Sequence, residues 1–129
     1  MTAKATPVTT SNPTMDGEHR IQVDLINALC TATEAGAAEA EIGRILEQLV
    51  AYSEAHFMSE ELLMRLDSYD DFEEHVEEHS RMMDLLQEML TKHRAGKSAL
   101  LPSLARPALD FLLQHIETRD LRYTQWVRS

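Results

Sequence analysis

Two pairs of residues, each four apart, bracket the middle of the chain. Between His56 and His79 the sequence reads HFMSEELLMRLDSYDDFEEHVEEH, with Glu60 four residues after His56 and His79 four after His75. Four residues of α-helix rotate about 400°, so each pair shares one face, one turn apart, and can grip a single ion. The polar break from Asp67 to Asp70 predicts a bend at which the two helices fold back. Three imidazoles and a carboxylate then face a common interior. The rest of the chain has to complete that interior.

Apolar residues recur at helical spacing elsewhere, without strand alternation or internal repeat. Residues 1–14, rich in Thr, Pro and Ser, read as a flexible polar N-terminal tail before a single domain over 15–129. Asp16 is the expected N-cap of a first helix over 17–34, with His19, Val23, Ile26 and Cys30 inward. A second helix over 39–65 carries Ile42, Leu46, Leu49, Ser53, His56, Glu60 and Leu63 on one stripe. The third opens on an expected capping box, Asp70 with Glu73, and runs to Arg94. Its stripe is Phe72, His75, His79, Met82, Leu86, Met89 and His93. Two prolines predict an irregular connection or first turn over 100–107. The fourth helix, over 104–118, presents Ala108, Phe111, Leu112 and His115. Four amphipathic helices with short to medium connections predict an all-α, up-down-up-down four-helix bundle.

That topology sets the starts of the first and third helices level with the ends of the second and fourth. His19, His56, Glu60, His75, His79, His115 and Asp120 therefore come to one end. His93 does not: it lies 14 residues beyond His79, about 21 Å along the axis, and reads as a helix-end histidine near the negative pole of the dipole. Met58, Met64, Met82, Met83 and Met89 are expected as core filler. The acidic runs Asp70-Asp71, Glu73-Glu74 and Glu77-Glu78 are expected as solvated faces, and Cys30 as a small buried apolar residue. His115 and Asp120 are five apart, which on a regular helix leaves them about 140° from one another. The backbone between them is expected to depart from regular α-helix, by a π-type turn or, as the favoured alternative, by loosening after His115.

Two inward acids, unpaired, would each carry a desolvation penalty of several kcal/mol, which a bound cation offsets. A formal net charge of −10 argues against nucleic acid or anionic lipid as partners. One cysteine excludes an internal disulfide, and no apolar run is long enough to span a membrane. With no signal-peptide pattern at the N-terminus, the expected location is cytoplasmic. Five imidazoles and two carboxylates exceed one tetrahedral zinc and suit two six-coordinate ions, for which iron fits the donors. Carboxylate-rich di-iron bundles use Glu-x-x-His pairs. Here the residue three before each histidine is Asp16, Ser53, Phe72, Val76 or Leu112, never Glu. A shell rich in neutral imidazole stabilises high-valent iron less, which favours binding dioxygen intact.

On these residues the chain resembles the bacterial hemerythrins. The family pattern of an early His, His-x3-Glu, His-x3-His and His-x4-Asp is matched by His19, His56 with Glu60, His75 with His79, and His115 with Asp120. The resemblance extends over about residues 15–126. It implies two iron ions joined by an oxo or hydroxo bridge, with His75, His79 and His115 on one and His19 and His56 on the other. Glu60 and Asp120 would bridge both. It also implies reversible dioxygen binding at an open position on the second ion, in a dry pocket lined by Leu112, Phe57 and Phe111. The function expected is therefore an oxygen carrier, store or local supplier and not an enzyme, its client protein unspecified. An oxygen or redox sensor acting through a partner, and a di-iron peroxidase or ferrous oxidase, are the competing readings.

Overall fold

The structure is a computed structural model and describes residues 6–128. Four long helices form it: α1 Pro13–Glu34, α2 Glu39–Leu66, α3 Phe72–Arg94 and α4 Pro102–His115. A π-helical turn over Ile116–Asp120 joins α4 to α5, Leu121–Arg128, and a single 3-10 turn, Ser98–Leu100, precedes α4. α1 packs against α2 and α4, and α3 against the same two, the closed square of an up-down-up-down bundle. Among the described residues no helix is long and apolar enough to cross a membrane.

Helix boundaries differ from the sequence expectation where capping decides them. The N-cap of α1 is Asn12, whose side chain accepts from the Met15 N–H, and Pro13 occupies the first turn, where its missing N–H costs nothing. The helix thus begins inside the stretch read as tail. Asp16, expected as the cap, instead accepts from the Thr10 N–H at 2.8 Å and the Thr10 hydroxyl at 2.7 Å. The Asp70–Glu73 capping box does not form: α3 starts at Phe72, after Asp71, with no side-chain cap. The expected irregular stretch over 100–107 is helical from Pro102. Pro102 sits in the first turn, and Pro107 falls at an exposed position where water can serve the carbonyl it leaves unbonded.

Two apolar clusters bracket one end of the bundle. The main core runs from Ile42 and Leu46 through Leu86 and Leu109 to Leu112 and Ile116. A small second cluster, Met15, Met64, Tyr69 and Tyr123, lies beyond. Met15 is four residues before His19, Met64 four after Glu60 and Tyr123 three after Asp120. It therefore forms a lid one helical turn further out than those residues. Two expected inward residues are not inward. Met58 is 64% exposed and Leu63 is 42% exposed, because the stripe facing the interior along the end of α2 follows His56, Phe57, Glu60 and Met64.

Candidate metal centre

Between those clusters the structure brings together all seven residues singled out from spacing. His19, His56, Glu60, His75, His79, His115 and Asp120 are each 0–4% exposed. α1 supplies His19, α2 His56 and Glu60, α3 His75 and His79, α4 His115 and the π turn Asp120. The turn resolves the five-residue spacing. An inserted residue per turn rotates Asp120 inward without breaking the helix, so the widened-turn alternative holds and the favoured loosening does not. The helix continues because α5 has its own anchors. Tyr123 and Thr124 are buried, and the Tyr123 hydroxyl donates to Asp67 at the end of α2.

Each carboxylate faces two ways. Glu60 Oε1 lies 3.0 Å from Nε2 of both His75 and His79, while Oε2 lies 3.0 Å from His56 Nε2 and 3.5 Å from His19 Nε2. Asp120 Oδ1 lies 2.8 Å from His75 Nε2 and 3.2 Å from His115 Nε2, while Oδ2 lies 2.9 Å from His19 Nε2. The ligand atoms fall into two groups able to hold a cation: Glu60, His75, His79, His115 and Asp120, and His19, His56 and Glu60.

Proximity here is only in part hydrogen bonding: His75 Nε2 bonds to Glu60 Oε1 at 3.0 Å, but other close atoms have no partner. His19 Nε2, His56 Nε2, Glu60 Oε2 and Asp120 Oδ1 are buried and have no hydrogen-bond partner, despite neighbours at about 3 Å. The nitrogens are aimed at points between the groups, not along a donor–acceptor line. His79 Nε2 and His115 Nε2 face each other at 3.2 Å. The opposite nitrogens of those rings donate to carboxylates: His79 Nδ1 to Glu61 at 2.8 Å and His115 Nδ1 to Glu78 at 2.9 Å. With Nδ1 donating outward on both rings, the two Nε2 atoms meet at one point, where either a proton or a shared cation can sit between them. The donor set fits a metal pair.

The electrostatics agree. Burial would raise the Glu60 carboxyl, yet the imidazoles of His19, His56, His75 and His79 hold it well below the usual carboxylate range. Burial would likewise lower His19, but Asp120 and Glu60 outweigh it and raise that imidazole to about 9. The two buried carboxylates thus stay charged and draw protons onto the imidazoles around them.

Three further residues, which spacing did not pick out, complete the surroundings. Glu18 accepts from His56 Nδ1 at 2.6 Å, in the same role as Glu61 and Glu78. Each is adjacent in sequence to a residue of the cluster and serves a histidine on the next helix: α1 to α2, α2 to α3, α3 to α4. Glu78, expected on a solvated face, is instead fixed between His115 and Arg119. Of the expected pocket residues, Phe57 stacks on His79 with ring centroids 4.1 Å apart, and Leu112 is buried one turn before His115. Phe111 packs half-buried at the edge of the main core. His93 stands at the other end of the bundle, beside Glu39 and Ser98.

A family model described as the hemerythrin HHE cation binding domain matches residues 10–127. A bacteriohemerythrin of Methylococcus capsulatus is 32% identical over 108 residues, covering 84% of this chain and 82% of that protein. One from Ralstonia nicotianae is 27% identical over 112 residues, covering 87% and 78%. A crystal structure of wild-type hemerythrin has a TM-score of 0.83 at 30% identity, covering 97% of this chain and 95% of that one. Sequence and fold agree over every element that carries the cluster, and the chain belongs to the hemerythrin family.

Proposed function

We propose that the chain binds dioxygen reversibly at a non-haem di-iron centre held by His19, His56, Glu60, His75, His79, His115 and Asp120. The observation that carries this reading is that Glu60 and Asp120 each turn one oxygen toward a three-imidazole group and the other toward His19. His75, His79 and His115 would hold one ion and His19 and His56 the other, with Glu60 and Asp120 placed to serve both and fewer protein donors left for the second. A ferrous pair held by these residues would supply the two electrons that reversible dioxygen binding needs. Glu18, Glu61 and Glu78 keep the proton of His56, His79 and His115 on Nδ1, so that Nε2 is free to donate. Leu112 and Phe57, 1% and 3% exposed, keep the surroundings dry and withhold the protons that would turn binding into oxidation of the ions. Phe111 closes the outer side.

Neutral imidazoles outnumber carboxylates in this set, which favours holding dioxygen intact over splitting it. On that ground the chain is read as an oxygen carrier, store or local supply, with iron as its metal. The family match and the relatives named bacteriohemerythrin support this. Anaerobic loading with ferrous iron, exposure to air and then degassing tests it. Two irons per chain and an optical band that appears under air and fades on degassing are expected. Irreversible conversion to ferric protein would favour an oxidase, and one metal per chain would remove the paired site.

A further inference from the structure

The cavities of the molecule differ in what they reach. One, about 600 Å³, lies along α1 near Thr31 and Arg106, away from the cluster. A smaller one, about 220 Å³, opens between the first turns of α1 and the last turns of α2. Met15, Glu18, Ser59 and Leu63 wall it, and His56 and Glu60 lie at its inner end. Those two residues are 4% and 2% exposed, and His56 Nε2 and Glu60 Oε2 have no hydrogen-bond partner. The cavity thus leads from solvent to two residues of the cluster, each carrying a buried atom without a hydrogen-bond partner.

We propose that this gap is the port through which a divalent cation enters the centre, with Glu18 as its gatepost; the inference rests on the metal-centre reading above. Glu18 stands at both boundaries: its side chain is 33% exposed, and its Oε1 is 2.6 Å from His56 Nδ1. A carboxylate at the mouth and another at the inner end make a path of negative potential that draws a cation inward in a chain of net charge −10. Glu78, its counterpart on α3, is held by both His115 and Arg119. Among the described residues no arginine or lysine clamps Glu18 in this way, so rotation about its side chain carries the carboxylate from the ring to the mouth and back. An arriving hydrated ion exchanges water for the Glu18 carboxylate, then that carboxylate for Glu60 and His56. Glu18 returns to His56 Nδ1 and holds the ring in place. The step is ligand exchange without redox change.

Stopped-flow uptake of Co²⁺ by the metal-free protein, followed by cobalt's visible absorption, tests the port without oxygen. Leu63→Trp, which fills the mouth from an exposed position, should remove the fast phase of uptake and leave the final cobalt content unchanged. Ser59→Trp, also exposed, repeats the block from a second position should the first disturb folding. Glu18→Gln should slow uptake by a factor of roughly three to ten at low salt, the difference closing as salt rises. Glu73→Gln removes the same charge from the surface at the same end of the bundle and should leave the rate alone. Folded tryptophan variants that load at the wild-type rate would overturn the port. Equal slowing by Glu18→Gln and Glu73→Gln would reduce the effect to net charge and overturn the gatepost. A wild type that takes up no cobalt would sink the metal-centre reading itself, and the port with it.

Discussion

His93 and the five-histidine cluster occupy opposite ends of one bundle, and both meet carboxylates. At His93 the contacts form an ordered chain: Nδ1 lies 3.0 Å from Ser98 Oγ, and that hydroxyl donates to Glu39 at 2.7 Å. The hydroxyl accepts from the ring and gives its own proton onward. In the cluster the nitrogens come as near to oxygen, 2.8–3.0 Å for the closest pairs, yet several of the buried atoms have no aligned partner. Distance does not separate the two ends; direction does. A hydrogen bond explains the first arrangement, whereas in the second the donors converge on one another in groups able to hold a cation.

The sharpest way to break this contrast is to delete one histidine from each end. On the proposed di-iron reading, His79→Ala should lose one of two irons per chain, because it removes a donor from the three-imidazole group. His93→Ala should keep both irons and cost only about 1 kcal/mol of folding stability, the worth of one hydrogen bond. Metal analysis beside urea unfolding reads both. Equal iron loss in the two variants would erase the distinction between the ends.

Protonation of the metal-free protein separates them next. Burial lowers His115, but Asp120 and Glu78 raise it to about 10, and His19 stands at about 9. With folded pKa values above the ordinary 6.5, the stabilisation they give is complete below 6.5 and is lost as pH rises through 9 and 10. Burial and Glu60 raise Asp120, but His115 and His19 carry it down to about 2; His115 and Arg119 bring Glu78 to about 2. That stabilisation is complete above the ordinary carboxylate values of 3.8 and 4.5 and is lost as pH falls toward 2. The metal-free melting temperature should therefore peak between about pH 5 and 6.5 and fall on both sides. Metal loading, which replaces those protons, should flatten the alkaline limb, and His93→Ala should leave both limbs in place. Calorimetry across pH decides; a metal-free protein equally stable at pH 6 and 10 contradicts the cluster's electrostatics.

A subtler difference concerns the carboxylates behind the rings. Glu78→Gln should weaken metal binding by roughly 10- to 100-fold, the usual cost of losing the group that orients a ligating histidine. Glu39→Gln, the same change behind His93, should leave affinity unaltered. Competition with a chelator measures both, and matching losses would mean that Glu78 acts only through net charge.

These outer carboxylates also mark where the sequence stopped being readable. The cluster was legible because pairs four apart share a face and because the bundle topology levels the helix ends. Glu18, Glu61 and Glu78 sit one residue from a cluster member, about 100° around the helix, where the pattern reads as solvent. Their partners lie on the neighbouring helix, and helix rotation, not spacing, brings them into reach. The five-residue gap from His115 to Asp120 demanded irregular backbone. Its form depended on Tyr123 reaching Asp67 across the bundle, which no local pattern announces. Met58 and Leu63 were misplaced for a related reason: an apolar residue at the edge of a stripe faces water when the neighbouring helix packs to one side of it.

The smallest effect tests whether the His93 end is packed as the comparison requires. A Cβ added at Gly43 would lie 2.7 Å from His93 Nε2 and 3.4 Å from its Cδ2. Alanine in place of glycine within a helix normally stabilises by about 1 kcal/mol. With His93 present, the ring must move, which strains or breaks its bond to Ser98 and offsets that gain by about 1–3 kcal/mol. Gly43→Ala alone should therefore be neutral or destabilising by about 1–2 kcal/mol. In a His93→Ala background the obstructing ring is gone, so the same substitution should recover the helix gain of about 1 kcal/mol. The sign reverses between backgrounds, which a double-mutant cycle by urea unfolding resolves. Iron content should stay at the wild-type value in all three variants. If Gly43→Ala stabilises equally with and without His93, the ring does not rest on α2, and His93 no longer serves as the hydrogen-bonded counterpart to the cluster.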